Sequence, residues 1–282
     1  MEYLKLNNDV KMPVEGLGTF LMSPAEAEAA SLAALEADYE HIDTANAYMN
    51  EKAVGRAIAK SGVARDKLFV STKLWPSVYE AGDAAIEGTL NRLGLDYVDM
   101  LILHQPVGNY LAAWKTMEKA YKEGKVRALG LSNFPQEKIA EVIDHAEIKP
   151  QLVTVECHPY FAQSDLREYL SQYGIEIEAW YPLGHGDKGL QEEPVFTKLA
   201  EKYGKTPAQV ILRWHVQMGT SIIPGSKNPA HIADNADIFD FELTDEEMAE
   251  VAKLDGTKKY YEATEEALAG YLAIKLDFDA QE

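Results

Sequence analysis

Short runs of apolar, β-forming residues alternate with helix-forming segments along almost the whole chain. Eight strand–helix units follow one another from Val14 onwards, and no linker or block of like charge separates them. Regular alternation of this kind favours parallel strands with helices packed outside them. We therefore predict an α/β protein with a (β/α)8 TIM barrel, as a single domain over residues 1–282, with a short N-terminal β-hairpin over residues 3–12 and extra helices near the C-terminus.

A doubly wound open sheet is the alternative fold for this alternation. Such sheets normally carry a Gly-x-Gly-x-x-Gly sequence after their first strand. The first predicted strand contains Gly16 and Gly18, and no third glycine follows at the required spacing. The closed barrel is therefore the favoured fold.

Capping and turn residues fix the boundaries of the predicted elements. Ser23-Pro24-Ala25-Glu26 places a capping serine, an early proline and a first-turn acid at the start of a helix, and Gly94 and Gly124 each end one. The predicted strands span residues 14–20, 41–43, 68–72, 98–103, 126–131, 152–156, 175–180 and 221–223. The predicted helices span residues 24–37, 51–60, 79–93, 111–123, 135–146, 164–173, 195–203, 207–218, 229–235 and 244–254.

The composition excludes several classes of protein. The chain has 27 Lys+Arg against 46 Asp+Glu, a formal charge of −19, and this field repels a phosphate backbone, so we expect no nucleic-acid partner. A single cysteine, Cys157, excludes an internal disulfide and fits a reducing compartment. No apolar run approaches the ~18 residues that a membrane span requires, and the N-terminus has no signal-peptide pattern. We expect a soluble, cytoplasmic protein with no membrane partner.

Ionisable residues stand at the ends of three successive predicted strands. Asp43, Lys73 and His104 each lie at the carboxyl end of a short apolar run, and Tyr48 follows Asp43 by five residues. The carboxyl ends of parallel strands meet on one face of a barrel, where (β/α)8 enzymes carry their active sites. One Asp–Lys pair alone is better explained by a structural ion pair. The four residues together, called the tetrad below, are the groups that proton transfer to a carbonyl oxygen requires.

Seven short motifs stand at the predicted strand ends in a fixed order. They are Gly16-Leu17-Gly18-Thr19, Ile42-Asp43-Thr44-Ala45 with Tyr48, Ser71-Thr72-Lys73-Leu74-Trp75, Leu103-His104-Gln105-Pro106, Gly130-Leu131-Ser132-Asn133-Phe134, Glu156-Cys157-His158-Pro159-Tyr160 and Ile223-Pro224-Gly225-Ser226. Together they resemble the aldo-keto reductase superfamily over nearly the whole chain. The pattern looks closest to the bacterial branch that includes 2,5-diketo-gluconic acid reductases and broad-range aldehyde reductases.

The resemblance implies an enzyme, an NAD(P)H-dependent oxidoreductase that reduces aldehydes or ketones to alcohols by hydride transfer. By this resemblance Tyr48 donates the proton, Lys73 and Asp43 assist it, and His104 orients the carbonyl oxygen. The ordinary pKa of tyrosine is ~10, and a neighbouring ammonium favours the phenolate. We therefore expect Lys73 to lower the pKa of Tyr48.

The resemblance also implies a nicotinamide-cofactor site, with departures from the family's pattern. Thr154 stands where a glutamine usually contacts the carboxamide, and Gly225 and His231 stand where NADPH-selective members carry Lys and Arg. Without these cations the site should bind the 2′-phosphate of NADPH more weakly, although Lys227 is close enough in sequence to replace them. We expect NADP(H) as the first cofactor and NAD(H) as an accepted alternative. The implied cofactor-binding residues are Gly18, Thr19, Asp43, Ser132, Asn133, Thr154, Trp180, Tyr181, Leu183, Gly225, Ser226, Lys227, His231, Asp234 and Asn235.

The implied substrate is a small-molecule carbonyl compound held in an aromatic cup. No arginine that could clamp a substrate carboxylate is identifiable, and the C-terminal tail, Lys258–Glu282, is short, so we expect an open site with broad selectivity. No metal is expected, because His158 lacks the spacing of metal ligands and is interpreted as a loop histidine held by hydrogen bonds. The implied substrate-binding residues are Phe20, Tyr48, Trp75, His104, Gln105 and Phe134, with Trp180 in the same cup.

Two other functions compete with this interpretation. A cofactor-binding regulatory protein can use the same barrel without catalysis, but such a protein need not keep the whole tetrad. A metal-dependent barrel hydrolase would carry His-x-His after its first strand, which this chain lacks. We therefore favour a monomeric carbonyl reductase.

Overall fold

The structure, a computed structural model, describes residues 1–282. Ten β-strands are present: β1 (Tyr3–Lys5), β2 (Lys11–Pro13), β3 (Leu17–Gly18), β4 (His41–Asp43), β5 (Phe69–Leu74), β6 (Val98–Leu103), β7 (Val126–Ser132), β8 (Leu152–Glu156), β9 (Glu176–Trp180) and β10 (Thr220–Ile222). Twelve α-helices are present: α1 (Pro24–Glu36), α2 (Glu51–Ser61), α3 (Asp83–Leu93), α4 (Tyr110–Lys122), α5 (Gln136–His145), α6 (Ser164–Ser171), α7 (Lys188–Glu192), α8 (Pro194–Tyr203), α9 (Pro207–Gln217), α10 (Pro229–Ala236), α11 (Asp245–Ala252) and α12 (Glu265–Ala273).

Strands β3 to β10 form one parallel sheet in sequence order. The two edges of this sheet meet, because Glu15, just before β3, bridges Ile222 of β10. At this seam the Gly16 N–H donates to the Ile222 carbonyl at 2.9 Å, and the Ile222 N–H donates to the Val14 carbonyl at 2.8 Å. The predicted (β/α)8 barrel is therefore confirmed.

The predicted N-terminal hairpin forms from β1 and β2, which pair antiparallel. Leu6 and Met12 are buried in one apolar cluster with Phe69, at the start of β5, and Leu152, at the start of β8. Because these are the amino ends of barrel strands, the hairpin covers that end of the barrel. The barrel interior is therefore closed at this end, and the tetrad is expected at the opposite, carboxyl end.

A continuous apolar layer joins the sheet to the surrounding helices. Strand residues such as Val70 and Leu101 share one buried cluster with helix residues such as Ala34 and Trp114. Both faces of the strands are thus covered, as is usual for an all-parallel sheet. None of the helices is long and apolar enough to span a bilayer.

The boundaries of several elements differ from the prediction near the carboxyl end of the barrel. Helix α3 begins at Asp83 rather than at residue 79, because Gly82 has a φ of 59° and interrupts the helix. The Tyr79 hydroxyl is instead held by the main chain of Gln105, donating to its carbonyl at 3.0 Å. Helices α7 and α12 are additional to those predicted, and α12 lies within the C-terminal tail.

Candidate active site

The tetrad meets at the carboxyl end of the barrel. Asp43 ends β4, Lys73 lies near the end of β5, and His104 directly follows β6. Tyr48 ends a single-turn helix that begins at Asn46. All four side chains line one cavity of about 600 Å3.

Lys73 and Asp43 form a buried ion pair. The Lys73 Nζ lies 2.5 Å from the Asp43 Oδ2, and the two side chains are 2% and 1% exposed. Ser71 donates a hydrogen bond to the other carboxylate oxygen at 2.7 Å, and Lys73 donates one to the Thr44 carbonyl at 3.1 Å. Burial opposes the charge of the lysine, but Asp43, Tyr48 and Glu178 together outweigh burial and raise the pKa of Lys73. Burial raises the pKa of Asp43 as well, and Lys73 opposes that rise.

Tyr48 lies against this buried ammonium and faces the cavity. The Lys73 Nζ is 5.2 Å from the centre of the Tyr48 ring, and the His104 ring stands edge-on to the same ring at 5.5 Å. Burial raises the pKa of Tyr48 to about 12, and Lys73 only limits that rise. Lys73 thus acts on this pKa in the expected direction, but the net shift is upward, because the cost of desolvating a phenolate exceeds the stabilisation that the ammonium provides.

His104 is a buried, neutral imidazole in the cavity wall. Burial and then the charge of Lys73 lower its pKa well below the ordinary value. The Trp75 ring stands perpendicular to it at 5.1 Å, and the His104 Nδ1 has no hydrogen-bond partner in the protein. A neutral imidazole carries one N–H donor. His104 can therefore orient a carbonyl oxygen without acting as a competing acid.

A second wall of the cavity carries the residues implied for a nicotinamide ring. Ser132 ends β7, Asn133 follows it, and Trp180 ends β9. The Trp180 Nε1 donates to the Asn133 Oδ1 at 2.9 Å, and the Asn133 Nδ2 donates to the His104 carbonyl at 3.4 Å. Asn133 has a φ of 63°, which asparagine tolerates better than most residues. A flat indole face beside amide and hydroxyl groups suits a nicotinamide ring and its carboxamide.

Glu178 is a buried acid behind this wall that the sequence motifs do not single out. The Thr154 hydroxyl donates to the Glu178 Oε2 at 2.9 Å, so Thr154 presents only an acceptor to the cavity. Burial and then the nearby Asp43 raise the pKa of Glu178 to about 8. The sequence does contain a signal for Glu178, because it is an acid inside a predicted strand with apolar neighbours. Burying a carboxyl group costs free energy, so such a residue is a candidate part of a site.

Two glycines allow a close approach of backbones at one end of the cavity. A Cβ on Gly18 would lie 2.6 Å from the Ile223 carbonyl oxygen, and a Cβ on Gly225 would lie 3.1 Å from the Gly18 carbonyl oxygen. At Gly18 a side chain would require the backbone to move, and at Gly225 it would make a tight contact. This backbone cradle continues from the aromatic wall at Trp180, so the residues present fit a nicotinamide cofactor.

Most residues implied for cofactor or substrate reach the cavity. Besides the tetrad these are Gly18, Phe20, Trp75, Gln105, Ser132, Asn133, Thr154, Trp180, Tyr181, Leu183 and Gly225. The residues that do not line it are Thr19, Phe134, Ser226, Lys227, His231, Asp234 and Asn235.

The residues outside the cavity have other contacts. Phe134 is fully buried and packs edge-on against Tyr110 in the core, which corrects its assignment to the substrate cup. The Thr19 hydroxyl donates to the Asp43 carbonyl at 2.9 Å. Lys227, in the loop after β10, forms an ion pair at 2.9 Å with Glu26 in α1. His231, Asp234 and Asn235 lie on α10, beyond this loop.

The C-terminal tail, although short, forms part of the cavity wall. Five of its residues line the cavity: Tyr260, Tyr261, Tyr271, Ile274 and Leu276. The Trp75 Nε1 donates to the Tyr271 carbonyl at 3.1 Å, which attaches α12 to the loop after β5. Apolar residues at helical spacing in α12 were the sequence signal for this segment.

Two nearby residues with reactive side chains are held in the structure without an evident chemical role. His158 is buried, and its Nε2 bonds the Glu156 Oε1 at 2.9 Å. Cys157 is also buried, and burial is the main cause that raises the pKa of its thiol to about 12. No group of three or more His, Cys, Asp and Glu side chains is arranged to hold a metal ion.

The fold and the site define the class of this protein as an oxidoreductase enzyme on a (β/α)8 barrel. The model of the aldo/keto reductase family matches residues 16–256 of the chain. The protein belongs to the aldo/keto reductase family, whose members bind nicotinamide cofactors.

Individual aldo-keto reductases and related reductases support this assignment. A glyoxal reductase of Bacillus subtilis (strain 168) is 45% identical over 256 residues, which cover 89% of this chain and 92% of the relative. Methylglyoxal reductase DkgA of Escherichia coli (strain K12) is 40% identical over 259 residues, which cover 91% of this chain and 94% of the relative. The crystal structure of a Bombyx mori aldo-keto reductase in complex with NADP matches with a TM-score of 0.87 at 32% identity, covering 93% of this chain and 95% of that one.

Proposed function

We propose that this protein is an NAD(P)H-dependent carbonyl reductase that converts small aldehydes and ketones to alcohols. The observation that carries the proposal is the convergence of the Tyr48 phenol, the Lys73–Asp43 ion pair and the neutral His104 imidazole on one cavity. The names of the bacterial glyoxal and methylglyoxal reductases support α-oxoaldehydes as substrates. The aromatic lining of the cavity supports aromatic aldehydes as a second group.

In this proposal Tyr48 supplies the proton for the carbonyl oxygen. A reduced nicotinamide, when bound, supplies the hydride for the carbonyl carbon. As this carbon is reduced, the oxygen becomes a stronger base than a phenolate, so it can take the proton of Tyr48 although that pKa is about 12. Lys73 stabilises the phenolate left behind, and Asp43 holds the ammonium in place. A proton from solvent then restores the phenol.

His104 contributes orientation in this scheme. Its imidazole is kept neutral by burial and by Lys73, so it can donate one hydrogen bond to the carbonyl oxygen. With Tyr48 at 5.5 Å, centre to centre, the two groups can approach the same oxygen from neighbouring positions. This arrangement favours a single orientation of the substrate carbonyl.

The cofactor is assigned to the wall opposite the substrate. We propose that the Trp180 face supports the nicotinamide ring and that Ser132 and Asn133 bond its carboxamide. Thr154 would accept a hydrogen bond from the carboxamide NH2 group, since its own proton is donated to Glu178. These contacts use the same residues that the family resemblance implies.

We further propose that the protein accepts both NADPH and NADH. Lys227 is the one lysine or arginine of the loop from Gly225 to Asn228, and its Nζ is paired with Glu26 at 2.9 Å. A 2′-phosphate would have to compete with this carboxylate for the ammonium. Gly225 and His231 add no permanent positive charge at the positions where cations are usual, so discrimination between the two cofactors should be weak.

Initial rates test this proposal directly. Methylglyoxal and an unsubstituted aromatic aldehyde would each be reduced with NADPH and with NADH, and the loss of nicotinamide absorbance followed. We expect turnover with both cofactors, with kcat/KM values within about tenfold of each other. If both cofactors bind but neither supports turnover, the proposed activity is contradicted.

A further inference from the structure

We propose that Glu156 is a positioning residue that holds the C-terminal tail against the cavity and thereby sets the affinity for substrates large enough to touch the tail. The kinetic part of this inference rests on the proposed carbonyl reductase activity. The structural part, the attachment of the tail, stands independently of that activity.

Glu156 bonds the tail through two consecutive backbone amides. It ends β8 and is 3% exposed. The Glu156 Oε1 accepts from the Tyr260 N–H at 2.6 Å and from the His158 Nε2 at 2.9 Å, and the Oε2 accepts from the Tyr261 N–H at 3.0 Å. No lysine or arginine forms an ion pair with this carboxylate, so the tail amides are principal partners of a buried charge.

These two bonds place tail side chains in the cavity wall. Tyr260 and Tyr261 both line the cavity, and the Tyr261 ring stands edge-on to the Trp180 ring at 5.6 Å. Glu156 and Trp180 are paired residues of neighbouring strands β8 and β9. The rigid barrel thus fixes both the Trp180 wall and, through Glu156, the tail residues that pack against it.

The end of the tail is anchored separately, because Phe278 and Gln281 are buried and Gln281 accepts hydrogen bonds from Lys52, whereas the segment before it has few contacts that could replace the attachment through Glu156. Helix α12 buries none of its residues, and Leu272 and Ile274 are 47% and 41% exposed. Segments with little buried apolar surface open at low free energy. The position of residues 258–276 therefore depends on these polar contacts: those of Glu156, the bond from Trp75 to the Tyr271 carbonyl, and the bonds that Asp187 accepts from Lys258 and Tyr260.

A glutamine at position 156 would keep the shape but not the bonding pattern. One carboxylate oxygen would become an NH2 group, which faces an N–H donor and cannot accept from it. A backbone amide of the tail would lose its partner, and the other would lose a charge-assisted bond. We expect the tail to detach more often, while the barrel and the tetrad stay intact.

Substrate size should reveal this change. A three-carbon aldehyde such as methylglyoxal can occupy the space beside Tyr48 and His104 without reaching the tail. An aromatic aldehyde extends further and should contact Tyr261 or Tyr271 in the wall. Loss of the wall then weakens binding of the aromatic substrate and leaves reduction of the small one unchanged.

Glu118 offers a matched control. It is 2% exposed in α4, and its Oε1 accepts from two consecutive backbone amides, the Glu147 N–H at 2.6 Å and the Ile148 N–H at 2.9 Å. Neither Glu118 nor its partners line the cavity. The other oxygen of Glu118 pairs with Lys115 at 3.2 Å. Glu118→Gln therefore makes the same substitution in a buried carboxylate away from the site, where a glutamine oxygen can keep both amide bonds.

The experiment compares the full-length wild type, Glu156→Gln and Glu118→Gln by steady-state kinetics and by hydrogen–deuterium exchange of residues 258–276. For Glu156→Gln we expect KM for the aromatic aldehyde to rise about five- to tenfold, with faster exchange in the tail. The kcat for methylglyoxal and the cofactor Kd should stay within about twofold of wild type. Glu118→Gln should leave all four quantities unchanged.

Two results would overturn the inference: wild-type tail exchange in Glu156→Gln, or an equal rise of KM in Glu118→Gln. If Glu156→Gln does not fold, Glu156→Asp replaces it. Aspartate keeps the carboxylate but is one methylene shorter, so its oxygens lie further from the tail amides, and KM and tail exchange should rise by less than in Glu156→Gln. If the wild type reduces neither aldehyde, the proposed reductase activity fails. The exchange comparison alone then decides whether Glu156 holds the tail.

Discussion

The Nζ of Lys73 lies 2.5 Å from the Oδ2 of Asp43 in a place where neither side chain is more than 2% exposed. Water cannot solvate either charge, so each depends on the other and on the few donors around them. The pair joins the adjacent strands β4 and β5, and the Tyr48 ring lies beside it. The same ion pair therefore serves the proposed chemistry and makes the stability of the fold sensitive to the loss of either residue.

Removing one partner of this pair should be costly. We expect Lys73→Met to lower the free energy of unfolding by about 3–5 kcal/mol, because Asp43 is left as an uncompensated buried charge. The double variant Asp43→Asn/Lys73→Met should regain most of this loss and remain inactive. Urea unfolding of the three proteins at neutral pH measures the effect. An equal loss in the single and double variants would show that the pair is not coupled.

Cofactor preference should respond to Glu26. Glu26→Gln keeps the capping box with Ser23 but releases Lys227 from its ion pair. We expect the ratio of kcat/KM for NADPH over NADH to rise about fivefold, because the freed ammonium can bond a 2′-phosphate. Glu28→Gln is the control, since Glu28 is on the same helix but pairs with Arg56 and Lys60. An unchanged ratio in Glu26→Gln would exclude Glu26 as a determinant.

The pH dependence of stability should reflect Glu15, which is buried at the barrel seam. The Tyr39 hydroxyl donates to its Oε1 at 2.9 Å, and the Oε2 has no partner in the protein. Burial raises the pKa of Glu15 from 4.5 to about 8. The folded protein therefore keeps a proton that the unfolded chain releases, and the stability this contributes is present below pH 4.5 and lost as the pH rises through 8.

Glu15→Gln cannot ionise and should not show this loss. We expect it to be as stable as wild type near pH ~5 and more stable by about 2–4 kcal/mol near pH ~8.5. Urea unfolding at the two pH values gives the comparison. Parallel pH profiles for the two proteins would mean that Glu15 titrates normally.

The barrel and the position of the tetrad could be predicted because they depend on local signals. Apolar runs of strand length and capped helices define the repeating unit, and Asp43, Lys73 and His104 each end a run. In a parallel barrel these ends must converge. Tyr48, one turn beyond Asp43, follows from the same geometry.

What could not be predicted depends on contacts between distant parts of the chain. The bonds from Tyr260 and Tyr261 to Glu156 cross more than 100 residues, and nothing local indicates them. The burial of Phe134 depends on Tyr110 of a neighbouring helix. The sign of the pKa shift of Tyr48 depends on how far desolvation exceeds the effect of Lys73, which sequence spacing does not fix.

The central claim is that Tyr48 donates the proton in carbonyl reduction, and Tyr48→Phe tests it most directly. The variant keeps the ring that packs against Lys73, His104 and Phe20 and removes only the hydroxyl group. Steady-state reduction of an aromatic aldehyde would be measured together with cofactor binding, followed by quenching of tryptophan fluorescence. We expect kcat to fall about 10²–10⁴-fold with cofactor affinity unchanged. Near-normal turnover in Tyr48→Phe would contradict the assignment.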